Sequence, residues 1–231
     1  LTGVKEAKGL TLRIVKSPIK DKLETLYKLL GELKGESALV FCNQRESVER
    51  VSNYLTEMDV DNEYFHGGME QPERERALSL FRNGSASVFI STDLASRGLD
   101  IPEVKNVIHY HLPINEEAFI HRNGRTARMN AEGNAFMILN EIETVPEYIT
   151  REPDEFFLPE KAKKPLRSEW VTLTINRGKR DKLSKKDVVG FLFQKGELGK
   201  DDLGVIEVKE SCAYAAVKRD KKDGLLARIC D

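Results

Sequence analysis

A chain of 231 residues with 40% hydrophobic content suffices for one large globular domain or two smaller ones. No run approaches the roughly 18 consecutive apolar residues of a membrane span, and the sequence does not open like a signal peptide, so a cytosolic location and no membrane partner are expected. The three cysteines, Cys42, Cys212 and Cys230, are too few and too scattered for a disulfide framework or a zinc site and read as small buried hydrophobes.

The first 150 or so residues alternate short β-rich runs with helical patterns, which argues for βαβ units and a mostly parallel sheet. Leu10 to Val15, Ala38 to Cys42, Glu63 to Phe65, Val88 to Ser91, Val107 to Tyr110 and Ala135 to Leu139 are predicted strands. Between them Leu23, Leu26, Tyr27 and Leu30 keep helical spacing, as do Val48, Val51 and Leu55, and Ala77, Leu80 and Phe81. Most of the strands are apolar on both faces, as a sheet covered by helices requires. In such sheets ligands lie at the carboxyl ends of the strands, so the residues just after each strand carry the functional signal.

The second strand is followed by Asn43, the third by Gly67-Gly68 with Gln71 and Arg74. Paired glycines let backbone amides approach a phosphate, and Asn, Gln and Arg donate to one. Taken singly these residues fit a strand-to-helix turn equally well. After the fourth strand, Ser91 to Asp100 packs hydroxyls, a cation, a glycine and two carboxylates into ten residues. Thr92 suits a phosphate oxygen and Asp100 a ribose hydroxyl pair. His121 to Arg128 then places three arginines and a histidine within eight residues, a cluster that needs an anion or carboxylates to neutralise it.

Glu152 to Ser168 holds three prolines and no period and reads as a linker. The charge changes here. From Lys161 onward 18 Lys and Arg stand against 11 Asp and Glu, a net of +7, whereas the preceding residues carry 19 against 27, a net of −8. A basic module on an acidic body fits a polyanion-binding domain, with a solvated lysine-rich surface as the alternative. Within the module Val171 to Asn176 alternates like a strand, Ser184 caps a helix to Phe193, and Val205 to Val208 and Tyr214 to Lys218 alternate again. Leu225 to Ile229 opens a second helix.

The segments FCNQR, HGGMEQPER, STDLASRGLD and HRNGRTAR resemble, in order and spacing, the motifs of the second RecA-like domain of DEAD-box RNA helicases. The likeness covers about Leu10 to Ile149 and implies roles residue by residue. Arg125 and Arg128 would be arginine fingers at the γ-phosphate; Asp100, with Gly98 beside it, would bind the ATP ribose. Asn43, Gly67, Gly68, Arg74, Thr92 and Arg97 would line the RNA backbone path, and Gln71 and His121 would join the interdomain network. Two positions depart from the family's usual residues: Ala127 stands for glycine and His111 for aspartate.

The basic module, about Ser168 to Asp231, resembles the RNA-binding domain of DbpA-type DEAD-box helicases, a variant RNA recognition motif. Its sheet offers Tyr214 for base stacking but Thr174 and Ala216 where aromatics are common, so Arg177, Lys179, Arg180, Lys182, Lys185 and Lys186 are expected to carry more of the binding. The fold expected is thus an α/β RecA-like parallel sheet with helices on both faces over residues 1–151, a linker over 152–167, and a small α+β recognition-motif-like domain, truncated before a fourth strand, over 168–231.

No phosphate-binding Gly-x-x-x-x-Gly-Lys-Ser/Thr loop and no Asp-Glu-Ala-Asp segment occurs. By the resemblance both belong to a first RecA-like domain preceding Leu1, the partner that would hold ATP and Mg2+. This chain alone is expected to bind no cofactor strongly, to hold no metal and to turn over no ATP. The resemblance implies RNA unwinding on structured large-subunit ribosomal RNA during ribosome assembly. A DNA helicase or translocase with the same motor fold, or a non-catalytic RNA-binding protein, are the rival readings.

Overall fold

The computed structural model describes residues 9–18, 20–96, 100–126 and 132–229. They fall into two compact units, residues 1–74 with 87–167, and residues 75–86 with 168–231.

The first unit is built on a seven-stranded sheet in the order β3-β4-β2-β5-β6-β1-β7, with every pairing parallel. The strands are β1 (Leu10–Lys16), β2 (Ala38–Phe41), β3 (Asn62–Phe65), β4 (Val88–Ser91), β5 (Asn106–His109), β6 (Gly133–Leu139) and β7 (Asp154–Glu155). The predicted strands recur within a residue or two at each end. β2, β4 and β5 are buried at all positions, because helices cover both faces of a parallel sheet. The two faces separate along β6: Phe136 and Ile138 join the core under α1 (Leu23–Glu32) and α2 (Arg45–Glu57), while Ala135, Met137 and Leu139 join the core containing Phe119. Each buried Phe, Ile, Met or Leu among these contributes roughly 1.5–3 kcal/mol.

α3 (Gln71–Arg82) follows β3, and the short α4 (Asp93–Ser96) follows β4. α5 (Glu116–Asn123), which the periodicity does not reveal, supplies Phe119 and is capped by Asn115, whose side chain accepts from the Ala118 amide at 2.9 Å. Residues 152–167, expected to be a linker, belong to the first unit: they form β7 at the sheet edge and carry Phe156 and Leu158 onto the core. Two apolar side chains with somewhere to be buried turn a proline-rich linker into a packed segment.

The second unit holds β8 (Trp170–Ile175), α6 (Lys185–Gln194), β9 (Leu203–Val208), β10 (Ala213–Lys218) and α7 (Lys222–Ile229). Its antiparallel sheet has the order β8-β10-β9. Val188, Leu192, Ile206, Ala213, Ala215, Val217 and Leu225 form its core, with Val171 and Leu173 packed against it. α6 begins with a capping box in which Ser184 accepts from the Asp187 amide and Asp187 accepts from the Ser184 amide.

Candidate nucleic-acid and nucleotide site

The sheet register brings four strand ends level. Phe41 lies beside both Ser91 and His109, and Phe65 beside Ser91. The residues that follow, Asn43, Gly67-Gly68, Thr92 and His111, therefore emerge side by side at the carboxyl edge, where an α/β sheet binds ligands. Asn43, Arg45, Gly67, Thr92, Asp93 and Ile114 line an open cleft of about 840 Å3 there.

The cleft is held by a residue that no sequence signal singled out. Arg122, on α5, is 1% exposed. Its guanidinium donates from Nε to Asp93 Oδ1 at 2.6 Å and from Nη2 to Asp93 Oδ2 at 2.7 Å, a bidentate pair. Nη1 donates to the His111 carbonyl at 2.6 Å, and Nη2 to Asn43 Oδ1 at 2.8 Å. The charge also lies 5.0 Å from the centre of the Phe41 ring. One buried cation thus fixes Asn43 after β2, Asp93 after β4 and His111 after β5, and it lies one helical turn before Arg125.

Two histidines complete this network as neutral groups. His109 Nε2 lies 3.0 Å from Asn123 Oδ1, and Nδ1 faces Arg122 Nη1 at 3.5 Å, so the proton is on Nε2 and Nδ1 accepts. Burial, reinforced by Arg122, lowers its pKa to about 3. His111 accepts the Asn43 amide at Nδ1, 3.2 Å away, and burial followed by the nearby Lys22 ammonium lowers its pKa. A lone pair on a neutral ring thus occupies the position where an aspartate was expected. Lys22 itself is 3% exposed, donates to the carbonyls of Tyr110 and Ile138 at 3.1 and 2.6 Å, and pairs with Glu143.

The other expected residues are placed as follows. Thr92 is nearly buried at the cleft wall, while Gly67 and Gly68 are exposed. Arg74 turns back on the glycine loop, donating to the carbonyls of Met69 at 2.8 Å and Gly67 at 3.0 Å, so in this state it shapes the loop. Gln71 is exposed at the start of α3 and His121 is exposed on the last turn of α5. Arg125 donates to the Ser96 carbonyl at 2.8 Å, linking α5 to the end of α4. Asp100 is exposed. Arg97, Gly98, Ala127 and Arg128 lie outside the described residues, as does Cys230. Cys42 is buried and its thiol is pushed up to about 12, the state of an inert core residue.

In the second unit the basic loop is a rigid turn. The amides of Lys179 and Arg180 donate to the carbonyls of Lys209 and Glu210 at 2.9 and 3.0 Å. Gly178 is required because a Cβ there would lie 2.5 Å from the Lys209 carbonyl oxygen. Arg177 is engaged by Asp181 at 3.0 Å and Lys179 faces Glu210 at 3.9 Å. The side chains of Arg180, Lys182, Lys185 and Lys186 are exposed and enter no hydrogen bond or ion pair among the described residues. Tyr214 requires a correction: it is 6% exposed, so its ring is not the open stacking platform expected from its strand position. Burial pushes its phenol up. Ser79 donates to Glu207 at 3.0 Å and Asn83 to Thr172 at 2.8 Å within the same unit.

Residues 21–130 match the family described as Helicase conserved C-terminal domain, and residues 172–230 match the DbpA RNA binding domain. The chain is 27% identical to the ATP-dependent RNA helicase DbpA of Bacillus subtilis, with 94% of this chain and 52% of the relative covered. It is 34% identical to the protein of the same name from Escherichia coli, over 87% of this chain and 45% of that one. Among solved structures it resembles the E. coli DEAD-box protein SrmB bound to regulator of ribonuclease activity A, at 29% identity and a TM-score of 0.58 over 69% of this chain and 97% of that one. It also resembles S. cerevisiae Dbp5 bound to RNA and ADP BeF3, at 26% identity and a TM-score of 0.54 over 59% and 37%. The chain spans about half the length of these two DbpA relatives. It therefore belongs to the DEAD-box RNA helicases, of which it carries the C-terminal RecA-like domain and a DbpA-type RNA-binding domain.

Proposed function

We propose that the intact protein couples ATP hydrolysis to local RNA strand separation, with the second unit selecting a structured element of large-subunit ribosomal RNA. The observation that carries this reading is the Arg122 network. It ties Asn43 and the strand end bearing Thr92 to the helix that leads into Arg125, so an RNA backbone seated in the cleft and a nucleotide reached by Arg125 share one rigid support. A phosphate path along Asn43, Gly67, Gly68 and Thr92 suits the backbone, which carries no sequence information. Arg125, with Arg128, would move from its resting bond at Ser96 to the transferring phosphoryl group when a preceding RecA-like domain closes on ATP, with Asp100 at the ribose and Gln71 and His121 at the domain boundary. Magnesium and the ATP phosphates would be held by that preceding domain.

The ribosomal target is supported by a relative from Kluyveromyces lactis, 37% identical over 57% of this chain and 26% of its own length, named ATP-dependent rRNA helicase RRP3. The exposed basic loop supplies the sequence-independent part of the affinity. The test is strand displacement by the intact protein on a short duplex flanking a ribosomal RNA hairpin. ATP-dependent displacement that falls when the hairpin is replaced by an unrelated stem supports both parts. Equal displacement of the corresponding DNA duplex overturns the RNA assignment, and indifference to the hairpin overturns the ribosomal one.

A further inference from the structure

We infer that residues 152–167 are a strap that anchors the RNA-binding unit's point of attachment, and that this anchoring sets the spacing between the RNA element selected and the duplex opened. The functional half of this inference rests on the helicase reading above; the structural half stands without it.

The strap is fastened to the first unit at both of its ends. At its start β7 pairs with β1, placing Asp154 beside Arg13 and Glu155 beside Ile14, and the Phe156 amide donates to the Ile14 carbonyl at 2.8 Å. Lys16 pairs with Glu155 at 3.0 Å. The Phe156 ring meets Phe136 edge-on at 5.4 Å, and Leu158 packs on the same core. Further on, the strap crosses α1 so closely that a Cβ at Gly31 would lie 2.2 Å from the Lys163 carbonyl oxygen. Lys163 reaches Glu32 at 3.1 Å. Lys164 reaches Asp59 at 2.8 Å, and Arg167 spans Asp59 at 2.9 Å and Asp61 at 3.3 Å.

Exposed ion pairs hold little individually. The discriminating contacts are the half-buried Phe156 and the backbone approach at Gly31. Gly31 is the penultimate residue of α1, where alanine would form the better helix and its φ does not call for glycine. What it permits is the passage of the strap.

The consequence is one of reach. A free 16-residue linker would have a root-mean-square span of about 22 Å and an extended limit of about 55 Å. With the strap fastened, the chain passes from Arg167 to Ser168, the first residue after the strap in the second unit, in a single peptide step of about 3.8 Å. The anchor lies at Asp59 to Asp61, immediately before β3, whereas the cleft residues Gly67-Gly68 follow the far end of that strand. The end of the strap thus lies at the amino edge of the first unit's sheet, the edge away from the cleft.

The test uses two loosened forms. Gly31→Ala should expel the strap from α1, although alanine is the better helix former. A same-length Gly/Ser replacement of residues 156–166 should release the strap without touching α1. In the chain as it stands, hydrogen exchange at the Phe156 amide should be slow and should accelerate at least ~10-fold in Gly31→Ala. In the intact helicase, displacement should fall at least ~10-fold as nucleotides are added between hairpin and duplex, and both loosened forms should flatten that profile to within ~3-fold. Phe156 exchanging like free chain in the unaltered protein overturns the strap. Loosened forms with released straps and an unchanged spacing profile overturn its role in spacing. An unaltered helicase that displaces nothing at any spacing refutes the helicase reading instead, while the exchange measurement still decides the strap.

Discussion

Replacing Arg122 with methionine removes the cation that joins three strand ends while keeping a side chain of similar length. Breaking a buried ion pair by removing one partner costs ~3–5 kcal/mol, largely because the other charge is left without compensation. Here the abandoned partner is Asp93, whose side chain keeps 22% of its exposure, so water relieves part of that cost and the low end, ~3 kcal/mol, applies. For a domain of this size the melting temperature should fall by ~6–12 °C. Urea denaturation of Arg122→Met, Asp93→Leu and the double variant forms the cycle. The double variant should recover at least ~1 kcal/mol relative to the sum of the singles, since it removes the stranded carboxylate. A loss below ~1 kcal/mol in Arg122→Met, or strict additivity, would refute the view of Arg122 as the support of the cleft.

Acid should weaken the same region. The unfolded chain takes up protons on His109 and His111 near pH 6.5, whereas burial keeps the folded pKa lower, about 3 for His109, so stability is complete above 6.5 and declines as pH falls below it. At pH 5 His109 alone should cost ~2 kcal/mol by this linkage; stability that stays level from pH 7.5 to 5 in urea melts contradicts the assignment. In the basic loop and the first turn of α6, Ala at Arg180, Lys182, Lys185 or Lys186 should each reduce the salt dependence of RNA binding by ~0.7–0.9 of a slope unit where the side chain meets a phosphate. Unchanged slopes for all four would move the RNA to another surface. Tyr214→Ala should cost ~3 kcal/mol of stability by opening a cavity in the second unit. A loss of RNA affinity without a loss of stability would restore the stacking role.

The strands were legible because runs such as Ala38 to Cys42 and Val88 to Ile90 are apolar throughout, which in a chain with interleaved helices has one economical explanation. α5 was not, since its inward-facing set is little more than Ala118 and Phe119 among charges, and the largest buried side chain on it is an arginine. Nothing in a cluster of three arginines says which one goes inside. That depends on the strand register that sets Asp93 beside α5, a long-range fact. The packing of residues 152–167 was not legible for a related reason: Phe156 and Leu158 have no period, and nothing in the sequence marks Gly31 as a crossing point. Tyr214 had the strand position of a stacking residue, but its packing is tertiary. His111 stood out as a departure, and only the geometry showed its lone pair taking the Asn43 amide.

RNA-stimulated ATP turnover by the intact protein, compared with its Arg125→Ala variant, tests the central claim most directly. The account predicts a fall in kcat of at least ~10²-fold, since an arginine at the transferring phosphoryl group contributes 10³–10⁵ in related enzymes, with RNA affinity nearly unchanged. Undiminished turnover in Arg125→Ala would contradict it.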